Sequence, residues 1–329
     1  MGLVPWHGRT PWQVRTDLAV EAHEQAVKKR SLPGVDVEER RDGTITVQAV
    51  TIRDAEGGRR IGKPPGRYVT VHTPGLRQRS RSHGQEVARH LGRELAEMLR
   101  LEENTSVLLV GLGNWNATPD ALGPRVIERV LVTRHLGDAV PGDLKGKLRP
   151  VAAVAPGVLG LTGMETGEIV RGIVREIQPD RVVCIDALAA QDPDRLCTTI
   201  QLADSGIRPG SGVGNHRAAL TEETLGVPTL AVGVPTVVHA IAIVESSLAA
   251  VTAAFRGRGG WAELIGAFGD GDDDRVVLRR VLDPKLGQLM VTPKEIDLLV
   301  REVAWVIGGA LNAVLHPGID LSDFGEYAQ

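Results

Sequence analysis

Cysteine is scarce in this chain, and the two cysteines that it has stand alone. Cys184 and Cys197 lie inside apolar runs, and no CxxC pair or Cys/His spacing typical of a zinc site accompanies them. This pattern excludes a disulfide framework and a cysteine-based metal site as organising features of the fold. The sequence predicts two buried thiols in a protein of a reducing compartment.

The chain also lacks an excess of positive charge and a long apolar run. Its 38 basic and 41 acidic residues give a formal net charge of -3, which disfavours sequence-independent binding to nucleic acid. No segment reaches the roughly 18 apolar residues of a membrane-spanning helix. The first 17 residues contain no basic region followed by an apolar stretch. We therefore expect a soluble, cytoplasmic protein without a nucleic-acid or membrane partner.

What the chain does have is an alternation of short apolar runs and helical patterns. Four runs are apolar almost throughout, as strands covered on both faces are: 106–112, 149–155, 181–187 and 227–234. Between them, the helical period predicts helices at 119–136, 165–177 and 236–255. This order is typical of an α/β protein, a three-layer α/β/α sandwich with a mostly parallel central sheet.

Flanking segments complete the predicted fold. Alternating residues at 44–52 and 67–73 predict a smaller antiparallel element separated by a turn-rich segment, and 198–204 predicts an extra strand at an edge or in a hairpin. Further helices are predicted at 18–30, 84–102 and 291–315. The stretch at 256–275 is rich in glycine and aspartate, which predicts a surface excursion. Its DGDDD lacks the spacing of a calcium-binding loop.

The loop GLGNWNATPDALGP at 111–124 follows the first of the apolar strands. It is a poor phosphate-binding loop, because the third glycine position of the dinucleotide motif is Asn116 and the loop has no lysine. Thr118 as N-cap and Pro119 at the first helical position predict a helix start here. Asp120 then falls in the first turn, where a carboxylate also complements the helix dipole.

A second carboxylate, Asp186, ends the apolar run VVCID. In open α/β sheets the ligand crevice lies outside the carboxyl ends of the strands, so Asp120 and Asp186 are expected in one cleft. Two carboxylates in one low-dielectric site do not both ionise easily, which provides a general base and a general acid. The chain has no GxSxG motif and no HExxH motif, which disfavours a serine hydrolase and a zinc peptidase.

Two further features leave alternatives open. The glycine-rich segment SGIRPGSGVGNHRAAL at 205–220 is either a loop that binds an extended peptide or a plain surface connection. His239, expected at the start of the next helix, is either a packed helix residue or a metal ligand. Two aspartates and one histidine are a possible set of ligands for a divalent metal ion.

Seven runs of the chain carry a resemblance to a known family: RTDLAVEAHE at 15–24, GLGNWNATPDALGP at 111–124, APGVLGLTGMET at 155–166, IDALAA at 185–190, PGSGVGN at 209–215, GVPTVV at 233–238 and LMVTPKEID at 289–297. Together they resemble the germination protease of endospore-forming bacteria, the endopeptidase that degrades small acid-soluble spore proteins. The resemblance spans positions 15 to about 315, nearly the whole chain.

The resemblance implies a zymogen that removes its own propeptide, residues 1–17, between Asp17 and Leu18. Residues 18–329 would then form a single peptidase domain, similar in fold to the hydrogenase-maturation peptidases and assembled as a homotetramer in the forespore and spore core. The resemblance implies an unusual, aspartic-type class of peptidase, and no cofactor is expected. Its two proposed catalytic aspartates match Asp120 and Asp186.

Two loops are expected to hold the substrate or the developing oxyanion. Their residues are Gly113, Asn114, Asn116, Gly210, Ser211, Gly212, Gly214 and Asn215. Departures from the family pattern are His239, where the family usually has Asp, and a short 256–275 excursion. The alternatives are a metal-dependent peptidase that uses both aspartates with His239, and a non-catalytic module that binds spore proteins.

Overall fold

A computed structural model describes residues 16–27, 32–140, 142–145, 147–210, 218–255 and 289–318, with the isolated positions 282, 286 and 287. The helices are α1 Ala19–Val27, α2 Ala55–Ile61, α3 Arg81–Leu99, α4 Leu122–Ile127, α5 Leu159–Thr162, α6 Thr166–Ile177, α7 Glu222–Leu225, α8 Ala240–Phe255 and α9 Ile296–Leu315. The strands are β1 Val35–Asp42, β2 Ile45–Ile52, β3 Gly66–His72, β4 Val107–Gly111, β5 Val151–Val154, β6 Arg181–Ala190, β7 Thr199–Ala203, β8 Thr229–His239 and β9 Met290–Val291.

One sheet contains these strands, in the order β1-β2-β3-β7-β8-β6-β4-β5, with β9 beside β8. Strands β5, β4, β6 and β8 run parallel, and β7, β3, β2 and β1 extend the sheet with antiparallel pairs. Helices cover both faces: α3, α4 and α9 pack on one face, and α6 packs on the other. The predicted α/β sandwich with a parallel centre is confirmed.

Two sets of predicted strands lie elsewhere in the sheet than the sequence indicated. The strands predicted at 44–52 and 67–73 do pair antiparallel, but through β3 and β7 they belong to the main sheet. The extra strand predicted at 198–204 is confirmed as β7 and pairs antiparallel with β8, the next strand in the chain, but it is not an edge strand, because it lies between β3 and β8. All five β7 residues are buried, as its interior position requires.

Two elements were not expected from the sequence. Strand β1 has the sequence VDVEERRD and is largely exposed, as an edge strand can be. Its last five residues are all charged, so the sequence does not show the alternation of apolar and polar residues that predicts a strand. Helix α2 occupies the segment predicted to be only turns. Asp54 caps its first turn by accepting a hydrogen bond from the Gly57 N–H (2.8 Å), and Gly62 ends it in the left-handed conformation.

The helix predicted at 119–136 is wrong in its length and in its start. Thr118–Asp120 form a single 3-10 turn without a side-chain cap, and the α-helix covers only Leu122–Ile127. The chain must leave the helix early, because the Thr133 N–H already bonds to Val151 O of the sheet (3.0 Å). The helix predicted at 236–255 also starts later, at Ala240, since β8 continues to His239.

The buried state of both cysteines is confirmed. Cys184 and Cys197 are free thiols inside the fold. Burial raises the pKa of the Cys184 thiol, helped by the nearby Asp186 charge, and raises that of Cys197 to about 12. Both thiols are therefore protonated and unreactive at neutral pH.

Helix α9 is long and apolar enough to cross a membrane by length and composition. Its apolar positions instead pack in the core cluster that contains α3 and α4. Its one fully buried amide, Asn312, accepts a hydrogen bond from the Leu131 N–H and donates one to Arg129 O, both at 2.8 Å. The amide thus ties α9 to the chain that leaves α4.

Replacing Asn312 with leucine is expected to destabilise the protein by about 2 kcal/mol, because a buried N–H and a buried C=O lose their partners. Urea unfolding followed by circular dichroism measures this loss. Wild-type stability in Asn312→Leu would show that the two backbone groups find other partners.

Candidate active site

Asp186 lies within β6, on a defined face of the sheet. Val183 and Ile185 pack with α3, α4 and α9, whereas Val182 and Cys184 face α6. Because side chains alternate along a strand, Asp186 shares the α6 face. Asp186 is 5% exposed, and its Oδ1 accepts a hydrogen bond from the Ala187 N–H (2.9 Å).

Asp120 closes the loop that follows β4. The Asn114 N–H donates to Asp120 Oδ2 (2.9 Å) and to Asp120 O (3.1 Å), so the loop folds back on this residue. Asn114 Oδ1 in turn accepts from the Asn116 N–H (3.0 Å). Gly113 has φ +116°, and a side chain there would overlap Asp120 O. Three residues predicted to bind substrate therefore also shape the loop around Asp120, and their role toward substrate stays a prediction.

A glycine contact brings the two aspartate-bearing segments together. The Leu112 N–H donates to Ile185 O (2.8 Å), which joins the residue after β4 to the residue before Asp186. Gly123 sits on this junction so closely that a Cβ atom would lie 2.5 Å from Ile185 O and would also overlap Leu112. The 3-10 turn that ends at Asp120 contacts both β6 and β8. Asp120 and Asp186 therefore flank one junction at the carboxyl end of adjacent parallel strands.

The bond predicted for self-cleavage, Asp17–Leu18, lies beside β6, past the position of Asp186. The Asp17 N–H donates to Ala189 O (3.0 Å), and Asp17 Oδ2 accepts from the Ala189 N–H (2.9 Å). Leu18 is fully buried and packs against Leu188. The predicted processing residues are thus docked on the strand that carries Asp186, three residues beyond it.

Charged groups surround this docked segment. Glu21 is 3% exposed and accepts from the Gln191 N–H (2.9 Å) and the Asp192 N–H (3.0 Å). Burial raises the pKa of the Glu21 carboxyl, while its hydrogen bonds and Arg195 oppose that rise. Lys63 Nζ donates to Thr16 O (2.9 Å), and burial lowers the pKa of its ammonium group while Asp17 and Glu21 oppose this. Neither Lys63 nor Glu21 was marked as functional by any local sequence pattern.

His239 does not join the two aspartates. It is the last residue of β8, 5% exposed, and it pairs with Met290 of β9, so it lies at the predicted helix start but in strand conformation, directly before α8. Its neighbour Val238 pairs with Ala190, four residues beyond Asp186, which is about 13 Å along the strand. Among the described residues no group of three or more His, Cys, Asp or Glu side chains is placed to hold a metal ion. The expected ligand set of Asp120, Asp186 and His239 is therefore not assembled.

The second predicted loop is described only at its base. Ile207 and Leu220 form an antiparallel bridge and pack on the α6 face, the face that carries Asp186. Gly210 has φ +73°, a conformation that favours glycine. The remaining predicted substrate contacts, Ser211, Gly212, Gly214 and Asn215, lie outside the described residues. So do residues 1–15 of the predicted propeptide and the predicted excursion at 256–275.

The fold and the site define an α/β protein whose candidate site lies at the carboxyl ends of its parallel strands. The family model for germination protease matches residues 14–259 and 256–328. This chain therefore belongs to the germination protease family, and it is an endopeptidase of spore germination.

Relatives and one solved structure accompany the family match. A germination protease of Clostridium tetani is 40% identical over 321 residues, covering 95% of this chain and 99% of the relative. Those of Caldanaerobacter subterraneus subsp. tengcongensis and Clostridium acetobutylicum are each 43% identical, covering 93% and 95% of this chain and 95% and 98% of the relatives. A [NiFe] hydrogenase maturation protease from Thermococcus kodakarensis matches with 17% identity and a TM-score of 0.35, covering 68% of this chain and 98% of the other.

Proposed function

We propose that this endopeptidase starts the degradation of small acid-soluble spore proteins, and that it is made as a zymogen that cleaves its own Asp17–Leu18 bond. The observation that supports this most is the shared junction of the two aspartate-bearing segments, with Leu112 N–H bonded to Ile185 O and Gly123 packed on both. The docking of Asp17 on β6, the strand of Asp186, adds to it.

The proposed chemistry is hydrolysis assisted by the aspartate pair. One ionised carboxylate of Asp120 and Asp186 takes a proton from water, and the water oxygen adds to the carbonyl carbon of the cleaved peptide. The other, protonated carboxyl donates its proton to the leaving nitrogen as the C–N bond breaks. One water is consumed, and the products are a new carboxylate and a new amine. Either aspartate can fill either role.

The proposed substrate fits such a site because it needs no prior unfolding. Proteins that are disordered when free present extended segments, and their ordering cost is met as they bind. Backbone groups of 113–116 and of 210–215 are the proposed contacts for the extended chain. We also propose assembly as a homotetramer in the forespore and spore core, which light scattering of the purified chain tests directly.

The test is incubation of the full chain with a purified small acid-soluble spore protein, followed by mass spectrometry of both. Discrete substrate fragments and a new N-terminus at Leu18 support the proposal. An intact complex without fragments identifies a binding module instead. Activity that is lost on exhaustive chelation and restored by a divalent metal ion identifies a metal-dependent peptidase.

A further inference from the structure

A single side-chain amide spans the bond predicted for self-cleavage. Gln201 Nε2 donates to Asp17 O (3.1 Å), which is the carbonyl oxygen of the Asp17–Leu18 peptide. Gln201 Oε1 accepts from the Ala19 N–H (2.7 Å), on the other side of the same bond. Since α1 begins at Ala19, the Asp17 carbonyl lies just before the helix.

The sheet places this amide in register with Asp186. Gln201 of β7 and Asp186 of β6 both pair with Gly233 of β8, one from each side. Neighbouring strands are about 4.8 Å apart, so the Cα atoms of Gln201 and Asp186 are about 10 Å apart across the sheet.

Both side chains lie on the same face of this row. Ile200 and Leu202 face the α9 side, so Gln201 between them faces the opposite side, as Asp186 does. Leu188 fills the space that a side chain at Gly233 would need, since a Cβ there would lie 2.6 Å from Leu188 Cγ. Leu188 also packs against Leu18 and thus forms the floor beneath the cleavage segment.

Gln201 is buried, so its side-chain amide needs hydrogen-bond partners inside the protein. It is 7% exposed within TIQLA, a strand whose five residues are all buried. A buried primary amide is costly unless it is hydrogen-bonded. Both hydrogen bonds described above join the amide to the cleavage segment, so this segment supplies the partners that the buried amide needs.

We propose that Gln201 binds and polarises the carbonyl of the self-cleavage bond, with its Nε2–H serving the oxygen that becomes negative when water adds to Asp17. This assignment rests on the proposed self-cleavage at Asp17–Leu18. A donor already aimed at this oxygen strengthens its bond as charge develops, which lowers the barrier to water addition. The same amide fixes the Ala19 N–H, so the bond is held on both sides.

The test compares self-cleavage of the full wild-type chain with that of Gln201→Glu, followed by mass spectrometry over time. An ionised carboxylate still accepts from Ala19 but cannot donate to Asp17 O. We expect self-cleavage at neutral pH to slow about 100-fold, the scale of losing one oxyanion donor. Its rate relative to the wild type should recover as the pH falls and the introduced carboxyl becomes a donor again. A merely structural role would not produce that pH profile.

Two companion variants separate the possible outcomes. Gln178→Glu makes the same chemical change at an exposed position before β6 and should cleave itself as the wild type does. Gln201→Asn shortens the amide without adding charge and should also be slow, which covers the case in which the glutamate variant does not fold. Absence of wild-type cleavage at Leu18 would overturn the proposed function. A wild-type rate in either folded Gln201 variant would overturn the role of Gln201.

Discussion

Asp186→Asn and Asp120→Asn are each expected to lower self-cleavage and spore-protein digestion by about 1000-fold, within the usual range for removal of a general acid or base. An asparagine has the shape of aspartate but cannot take up or deliver the proton. The fold should survive, since an amide oxygen can still accept from the Ala187 N–H at position 186 and from the Asn114 N–H at position 120. Quantitative mass spectrometry of Leu18 ends and substrate fragments measures both reactions.

The matched control is Asp297→Asn on the outer surface of α9. Asp297 forms an exposed i,i+4 ion pair with Arg301, and such pairs contribute about 0.5 kcal/mol at most to helix stability. This variant should retain full activity. Full activity in Asp120→Asn or Asp186→Asn would remove that aspartate from the mechanism. Loss of digestion with intact self-cleavage would indicate separate sites for the two reactions.

The parallel centre of the sheet was predictable because its strands are buried on both faces. Such strands appear in the sequence as continuous apolar runs. Because ligands of open α/β sheets bind outside the carboxyl ends of the parallel strands, the segments of Asp120 and Asp186 were expected at one edge of the sheet. Strand β1 was missed because an edge strand needs little apolar surface. Helix α2 was missed because Gly57 and Gly58 suggest a turn. In the fold they allow close packing instead, since a Cβ at either would lie 2.8 Å from a backbone oxygen.

The neighbours of the aspartates could not be predicted, because they depend on strand order. Gln201 enters the site only because β7 inserts between β3 and β8, an order that no local pattern specifies. Its one sequence signal was a lone amide between Ile200 and Leu202. The start of the helix predicted at 236–255 was misplaced for a related reason: β8 continues past Pro235 beside β6, with a register shift after Leu188, so residues 236–239 are strand.

Gly123→Ala is expected to destabilise the protein by about 3 kcal/mol or more, beyond the usual range for an added methyl group in a packed core. Helix propensity alone predicts the opposite, because alanine is favoured over glycine by about 1 kcal/mol within a helix. The steric term dominates here, since the new methyl group would meet backbone atoms of Leu112 and Ile185, which cannot rotate away. Urea unfolding gives the loss of stability.

Gly172→Ala in α6 supplies the contrast, because nothing lies within 4 Å of a Cβ at that position. It should stabilise the protein by about 0.5–1 kcal/mol, the entropic gain expected inside a helix. If Gly123→Ala folds at all, the methyl group must separate the end of β4 from β6 and so move Asp120 away from Asp186. Activity should then fall more than the folded fraction does. Wild-type stability and activity in Gly123→Ala would mean that the glycine contact does not set the spacing of the two aspartates.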